Sequence, residues 1–272
     1  MCKVLKIPRS SYYKYLNKKP SNRELENIKI EKEITNIYKD SKKRYGAVKI
    51  NKSLKAKGIN ISLKKTQRLM KKLEIKSVII KKYRPASSKG KIEEQENILN
   101  RDFNATTINE KWVTDITYIH TIKDGWCYLA SVMDLYSRKI IGYAMSKSID
   151  TTLALQAVKN AVKLQNPTKP LILHSDLGCQ YTSTAFKNYI DTTKIITHSF
   201  SGKGCPYDNA CIESFHASLK KEEVHLVNYF DYDAARLAIF EYIESWYNRK
   251  RIHSSIGYIT PQKCEELARK IA

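Results

Sequence analysis

The hydrophobic rhythm of the chain changes near residue 110, from spacings of three and four to strict alternation. Before that point Val4, Leu5, Ile7, Tyr12, Tyr13 and Leu16 form a short apolar-periodic piece closed by Pro20. Ser21 and Glu24 stand in the spacing of a capping box. Leu25, Ile28, Ile34 and Ile37 carry a helical stripe onward to about Asp40. A second helix is expected over residues 47–57, with Val48 and Leu54 on its apolar side and Gly58 as its stop. Ser62 caps a third over 63–73, where Leu63, Thr66, Met70 and Leu73 face inward. After residue 110 the pattern is that of strands. They are predicted over 111–121, 126–135 and 138–145, the first two joined by the turn signal Lys123-Asp124-Gly125. Asp150 or Thr151 opens a helix to about Gln165, and Pro167 and Pro170 lead into an apolar run that ends at Asp176 and Gly178. A helix over 183–191, a strand over 194–199, a glycine-containing loop and a helix bearing Glu213 follow. The order β-β-β-α-β-α-β-α fits an α/β fold with a ribonuclease-H-like mixed sheet covered by helices on both faces. An all-α helix-turn-helix segment precedes it, and a helical tail follows.

Charge sharpens the division. The 272 residues carry a formal net charge of +22, but residues 1–100 hold 28 Lys and Arg against 9 Asp and Glu, a net of +19, and the rest only +3. A Lys-rich composition accounts for the total and not for the asymmetry. A basic arm on a nearly neutral body implies a grip on nucleic acid. The outward face of the third helix supplies it: Lys64, Lys65, Arg68, Lys71 and Lys72, with Gln67 among them. Two short helices joined by a glycine turn, the second one basic, match a helix-turn-helix with a recognition helix. A merely solvated lysine face is the plainer reading of that helix taken alone. The Lys-, Pro-, Ser- and Gly-rich stretch 81–91 reads as a linker able to lie along phosphates.

Six cysteines occur without a C-x-x-C pair, and Cys205 and Cys211 with His198 and His216 match no zinc framework. No signal peptide opens the chain, and no apolar stretch approaches the ~20 residues of a membrane helix. The expectation is a cytoplasmic protein with reduced thiols and no membrane contact.

Three carboxylates stand in settings that can converge. Asp115 lies within the alternating strand Trp112-Val113-Thr114-Asp115-Ile116-Thr117-Tyr118, on the face of Val113, Thr117 and Ile119. Asp176 stands at the tip of a buried strand. Glu213 enters a helix whose core stripe is Ile212, Phe215 and Leu219. An acid in an apolar row costs free energy unless a metal or a partner satisfies it. Two strand acids and one helix acid suit a pair of hard divalent cations that clamp the attacking and leaving oxygens of a phosphodiester. Lys220 lies seven residues beyond Glu213 on the same helix face, placed to neutralise a phosphate. Asp134 competes for a metal role, but Ser137 and Arg138 favour a hairpin turn there. Asp208 reads as a cap or a loop organiser.

These residues carry a family resemblance. The text Trp112-Val113-Thr114-Asp115-Ile116-Thr117-Tyr118, then His174-Ser175-Asp176-Leu177-Gly178-Cys179-Gln180-Tyr181-Thr182-Ser183, is similar to the IS-three family of bacterial insertion-sequence transposases, second reading-frame product. So are Gly202 to Phe215, Leu219-Lys220, the tail Tyr247-Asn248-Arg249-Lys250-Arg251-Ile252-His253, and Tyr45-Gly46 with Arg68-Leu69-Met70 in the arm. The family is of the DDE type, related to retroviral integrases. The resemblance covers nearly the whole chain. It implies a DNA transposase that cuts and joins strands at the ends of its element. Asp115, Asp176 and Glu213 would be the metal triad for Mg2+, with Mn2+ as a substitute, and Lys220 the basic partner at the DNA. It implies duplex DNA at element ends and target, a homo-oligomer on DNA, and an upstream reading-frame product as fusion or partner, in the nucleoid. A non-catalytic DNA-binding regulator and a structure-selective nuclease on the same fold are the alternatives. The interval from Asp176 to Glu213 is one residue longer than the family's usual one, and the extra residue falls near Ile190–His198. The expected division is 1–84 DNA-binding region, 85–108 basic linker, 109–225 integrase-like catalytic core and 226–272 helical extension.

Overall fold

One strand organises the larger part of the molecule. β1 (Lys111–Thr121) pairs antiparallel with β2 (Gly125–Asp134), from Trp112 opposite Asp134 to Thr121 opposite Gly125. Gly125, at φ +72°, makes the tight connection that a side chain would strain. β3 (Ile140–Ser146) lies antiparallel on β2, while β4 (Leu171–Ser175) and β5 (Ile196–Phe200) add in parallel on the other side. The strand order is β3-β2-β1-β4-β5. This computed structural model describes residues 2, 4, 7–17, 19, 21–79, 96–202 and 205–271. It divides into two compact units, Met1–Val78 and Ile79–Ala272.

In the second unit, α5 (Thr151–Gln165), capped by Asp150 through the Leu153 amide, lies on β3 and β2. Small residues let it come close. Ala154, Ala157 and Ala161 are fully buried, and a Cβ on Gly142 would stand 2.5 Å from the Ala157 carbonyl. The core on this side contains Trp112, Ala130, Val132, Ile141, Leu173, Tyr181 and Phe186. Each large apolar side chain buried here contributes about 1.5–3 kcal/mol relative to exposure. α6 (Cys179–Thr182), a single turn not foreseen in the pattern, and α7 (Thr184–Thr193) lie between β4 and β5. α7 ends in a left-handed Lys194 (φ 58°), at the helix-to-strand junction where the additional residue of the Asp176–Glu213 interval is expected. α8 (Ala210–Glu222) buries Ile212, Phe215 and Leu219 over the opposite face of β1.

The tail is built into this unit. α9 (Tyr232–Glu241) runs into a π-helical turn over Tyr242–Tyr247, and α10 (Pro261–Ile271) follows. Asn248 extends β3's bonding by donating to the Ile140 carbonyl (2.9 Å) and accepting its amide (3.0 Å). Residues 96–108, assigned to the linker on composition, are fixed to the body as well. Leu99 is buried, its amide donates to Ser199 Oγ at 3.0 Å, and Arg101 and Asn97 both reach Asp208. An apolar anchor and these polar ties order a stretch whose composition reads as loop. Residues 80–95, the remainder of that stretch, lie outside the described residues.

The first unit holds α1 (Arg9–Leu16), α2 (Asn22–Asp40), α3 (Ala47–Ala56) and α4 (Leu63–Lys72). Ser21 and Glu24 form the capping box reciprocally, and Gly58, at φ +81°, follows the end of α3. Asn51 is buried and donates to both the Ile61 carbonyl and Thr66 Oγ1, each at 2.9 Å, which pins the turn between α3 and α4. The buried stripe is partly shifted from the expected one. Ile34, Ile37, Leu54, Thr66 and Met70 are buried as expected, whereas Leu25, Ile28, Val48 and Leu63 are exposed and Ile30, Ile50 and Leu69 are buried instead.

Candidate active site

Alternation on β1 turns Asp115 to the side of Val113, Thr117 and Ile119, which are all buried, and leaves its carboxyl 21% exposed. Asp176 directly follows the last residue of β4. Since Val113 pairs with His174 in the parallel register, Asp115 and Asp176 each lie two residues further along neighbouring strands. The two acids therefore meet just beyond the last β1–β4 pair, Asp115 in the middle of β1 and Asp176 past the end of β4. Asp176 Oδ1 accepts the Gly178 amide at 3.0 Å, and a Cβ on residue 178 would crowd that oxygen at 2.9 Å. A side chain at 178 would therefore require the Asp176 carboxylate to shift.

Glu213 stands in the first turn of α8, whose start is tied down twice. Asn209 Nδ2 donates to the Thr114 carbonyl (3.0 Å), one residue before Asp115, and Arg138 Nη1 contacts Cys211 Sγ at 2.6 Å. Electrostatics joins the three acids. Burial, then Asp115, pushes Asp176 up to about 6. Burial, then Asp115 and Asp176, raises Glu213. Lys220 is lowered by burial and drawn back up by Asp115. Glu213 and Lys220 thus act on the same aspartate from one face of α8, as their spacing anticipates.

Half-buried acids gathered this closely are favoured by positive charge beside them. Among the described residues, no three His, Cys, Asp or Glu side chains close tightly enough around one point to cage an ion. Oxygen donors spread over two neighbouring strands and a helix suit a hard cation that keeps water and takes phosphate oxygens, as Mg2+ does, better than an all-protein cage.

Asp134 is occupied otherwise. Its Oδ1 accepts the Ser137 amide (2.8 Å) and hydroxyl (2.7 Å), and its Oδ2 accepts the Asn109 amide (2.9 Å), so it organises the turn into β3. Asp208 accepts from Arg101 (2.6 Å), the Gly202 amide (2.8 Å) and Asn97 (2.9 Å), and ties the loop before α8 to residues 96–101. The cysteine–histidine set does not gather. Cys211 meets Arg138, His216 meets Asp115, and His198 lies 3.9 Å from the Phe200 ring with its Nε2 on Ser175 Oγ. Sequence reasoning missed His216, Asn209 and the Tyr181–Thr114 hydroxyl pair (3.1 Å) beside the site. Only the proximity of 209 and 216 to Glu213 along the helix could have suggested the first two.

Two histidines behind Asp176 are held neutral. His174 is fully buried between the Ser199 and Ser201 hydroxyls (2.9 and 3.1 Å), and burial lowers both His174 and His198 to about 4. An unfolded histidine takes its proton near 6.5, a folded one here only near 4. Stability is therefore complete above about pH 6.5 and is lost as the pH falls toward about 4. His198→Gln is expected to make the acid limb shallower by about one proton in urea unfolding followed across that range. An unchanged limb would mean that His198 is protonated in the folded protein.

In the first unit the five basic residues of α4 divide into two sets. Lys72 pairs with Glu31 at 2.7 Å and Lys65 approaches Glu26 at 3.9 Å, both acids on α2. Lys64, Arg68 and Lys71 share the other side and are exposed.

The integrase core domain family matches residues 105–206, a second integrase core domain family matches 194–261, and an HTH-like domain family matches 24–83. A transposase of Escherichia coli K12, InsF for insertion sequence IS3A, is 35% identical over 268 residues, covering 97% of this chain and 92% of the relative. The transposase of insertion sequence element IS904 from Lactococcus lactis is 35% identical over 252 residues, 92% of this chain and 99% of that one. Among solved structures, the HTLV-2 integrase catalytic core domain in complex with magnesium has a TM-score of 0.45 at 18% identity, over 60% of this chain and 99% of that one. No helix among the described residues is long and apolar enough to cross a membrane. Identity of this level along almost the whole of both chains, with a helix-turn-helix-like unit ahead of an integrase core, leaves one assignment: the chain is a DNA transposase of the DDE type and belongs to the IS3 family of insertion sequences.

Proposed function

We propose that Asp115, Asp176 and Glu213 hold divalent cations, Mg2+ by preference and Mn2+ as a substitute, for strand cleavage and strand transfer at the ends of an insertion sequence. The observation that carries this is the convergence of three acids, Asp115 on β1, Asp176 past the end of the parallel strand β4 and Glu213 on α8, close enough for Asp115 to act on both of the others. Bound there, the cations would activate a water or a 3′-hydroxyl and stabilise charge on the oxygens of the phosphodiester. The chain's own residues supply placement. Asp115 on β1 and Asp176 past the end of β4 set carboxylate oxygens from neighbouring strands, Glu213 approaches from α8, and Lys220 offers positive charge to the phosphate on the same side. Two successive in-line displacements then use one site. Water opens the element end and frees a 3′-hydroxyl, and that hydroxyl attacks a phosphodiester of the target.

The division of labour follows the charge. Residues 1–84 would bind duplex DNA at the element ends, 85–108 would lead to the core at 109–225, and 226–272 would complete it. Assembly as a homo-oligomer on DNA, an upstream reading-frame product as fusion or partner, and residence with the nucleoid belong to the same reading. The test of cleavage and joining is a duplex carrying the element's terminal sequence, labelled on either strand, incubated with full-length protein and Mg2+. A nick at the end followed by a joined product is expected. Cleavage without joining would make the protein a nuclease, and neither product would leave only a DNA-binding regulator.

The α4 contacts are tested separately. Lys64→Ala, Arg68→Ala and Lys71→Ala should each weaken end binding and flatten its salt dependence, by about 0.9 in the log–log slope for every phosphate contact removed. Lys72→Ala should cost less, since its ammonium already meets Glu31. Equal losses from Lys71→Ala and Lys72→Ala in a gel-shift titration at two salt concentrations would remove that distinction.

A further inference from the structure

Asp115 is approached from two sides. Its Oδ1 accepts the Ile116 amide at 2.8 Å, and its Oδ2 faces His216 Nδ1 across 3.4 Å. His216 lies three residues after Glu213 on α8, with 7% of its side chain exposed and its ring 5.4 Å from that of Phe215. Its Nε2 is buried without a hydrogen-bond partner among the described residues. The Ser131 hydroxyl, on the β2 residue paired with Asp115, is buried and lacks a partner in the same way.

Buried polar atoms ordinarily find partners, and each that does not costs free energy. An imidazole inside the apolar stripe of α8 is a poor choice if the position only fills space, because a leucine or phenylalanine would fill it without that cost. A carboxylate that binds a cation does so best when a further group fixes its orientation. Such outer partners typically change metal affinity or activity 10–100-fold.

We propose that His216 is a positioning residue for Asp115. The inference rests on the reading of Asp115 as a cation ligand. A proton on Nδ1 turns a donor toward Oδ2 while the Ile116 amide holds Oδ1. The carboxylate plane is thereby set between strand and helix. A separation of 3.4 Å is longer than a formed hydrogen bond, and catalytic contacts of this kind commonly tighten when the reactants are bound.

The test uses full-length protein and four variants: His216→Ala, His216→Phe, His216→Gln and Asp115→Asn. Mn2+ binding without DNA is measured by calorimetry, and the Mg2+ concentration giving half-maximal nicking is measured alongside, with urea midpoints recorded for each. His216→Ala and His216→Phe are expected to weaken Mn2+ binding and raise the Mg2+ midpoint roughly 10–100-fold. His216→Gln, which keeps a donor, should recover part of both. A His216→Phe protein that folds and binds Mn2+ like the parent overturns the inference and makes the residue a space filler. If His216→Ala does not fold, the Phe and Gln variants, which keep the bulk, decide. Should Asp115→Asn leave Mn2+ binding intact, the reading of Asp115 itself fails. Weakened binding in Asp115→Asn with none in His216→Phe defeats the positioning role alone.

Discussion

Glu213→Gln is expected to reduce cation-dependent nicking by roughly a thousand-fold or more while leaving DNA binding in place. The substitution keeps the side chain's size and its place on α8, and it removes one anionic oxygen donor. Several kcal/mol of charge stabilisation at phosphorus then disappear, at about 1.4 kcal/mol for each factor of ten. The fold should not suffer, because much of Glu213 lies at the surface and its ionised form is disfavoured by the partial burial of its carboxyl, then by Asp115 and Asp176. A carboxyl raised in the folded state takes stability away once the pH exceeds its unfolded value, so the metal-free Gln variant should be no less stable than the parent at neutral pH. Asp115→Asn and Asp176→Asn should lose the same activity, and Lys220→Ala should slow cleavage less. The decisive measurement is single-turnover nicking of a terminal duplex beside a gel shift. Full cleavage by the Gln variant would sink the assignment.

Glu222→Ala is expected to destabilise the second unit by about 3–5 kcal/mol, the usual loss when one partner of a buried ion pair is removed. Glu222 closes α8 and is 3% exposed, and Arg251 binds it through Nη2 at 2.9 Å and Nε at 3.0 Å. Tyr242 and Trp246 donate to the same carboxylate at 3.0 and 2.9 Å. Removing Glu222 leaves a guanidinium, a phenol and an indole facing a void. Burial disfavours the charged Arg251 and the Glu222 carboxylate more than offsets it; without that carboxylate the guanidinium, too basic to shed its proton, is left charged and uncompensated. Arg251→Ala should cost a similar amount, and pairing Glu222→Leu with Arg251→Met should recover part of it by replacing two charges with apolar bulk. Urea unfolding of the full chain measures all of these. A loss below about 1 kcal/mol for Glu222→Ala would mean that the tail is not anchored there.

That network also shows what the tail's motif is for. Tyr247-Asn248-Arg249-Lys250-Arg251 looks like a basic segment for DNA, yet Asn248 completes the edge of β3 and Arg251 closes on α8. Charge in a sequence reports capacity, and burial decides whether it is spent inside. The same holds on α4, where one basic helix becomes a free set of three and a pair facing acids on α2.

By itself the sequence determined the elements and the candidate acids. Strict alternation fixed which side of β1 carries Asp115, since the side-chain period of a strand admits no other answer. Ser21, Ser62 and Asp150 marked helix starts because the orphan amides of a first turn need a side-chain acceptor close in sequence. The spacing of Glu213 and Lys220 put both on one helix face. Whatever depended on distant pairing was decided only in three dimensions. The parallel register of β1 and β4 brings Asp115 beside Asp176, although sixty residues of chain separate them. Leu69 is buried and Leu63 exposed, the reverse of the expectation, because a helical stripe is buried only where another element covers it. Residues 96–108 are held by contacts with Ser199 and Asp208 that no local pattern announces. His216 reaches Asp115 because α8 lies across β1, and sequence periodicity cannot say which helix will cover which strand.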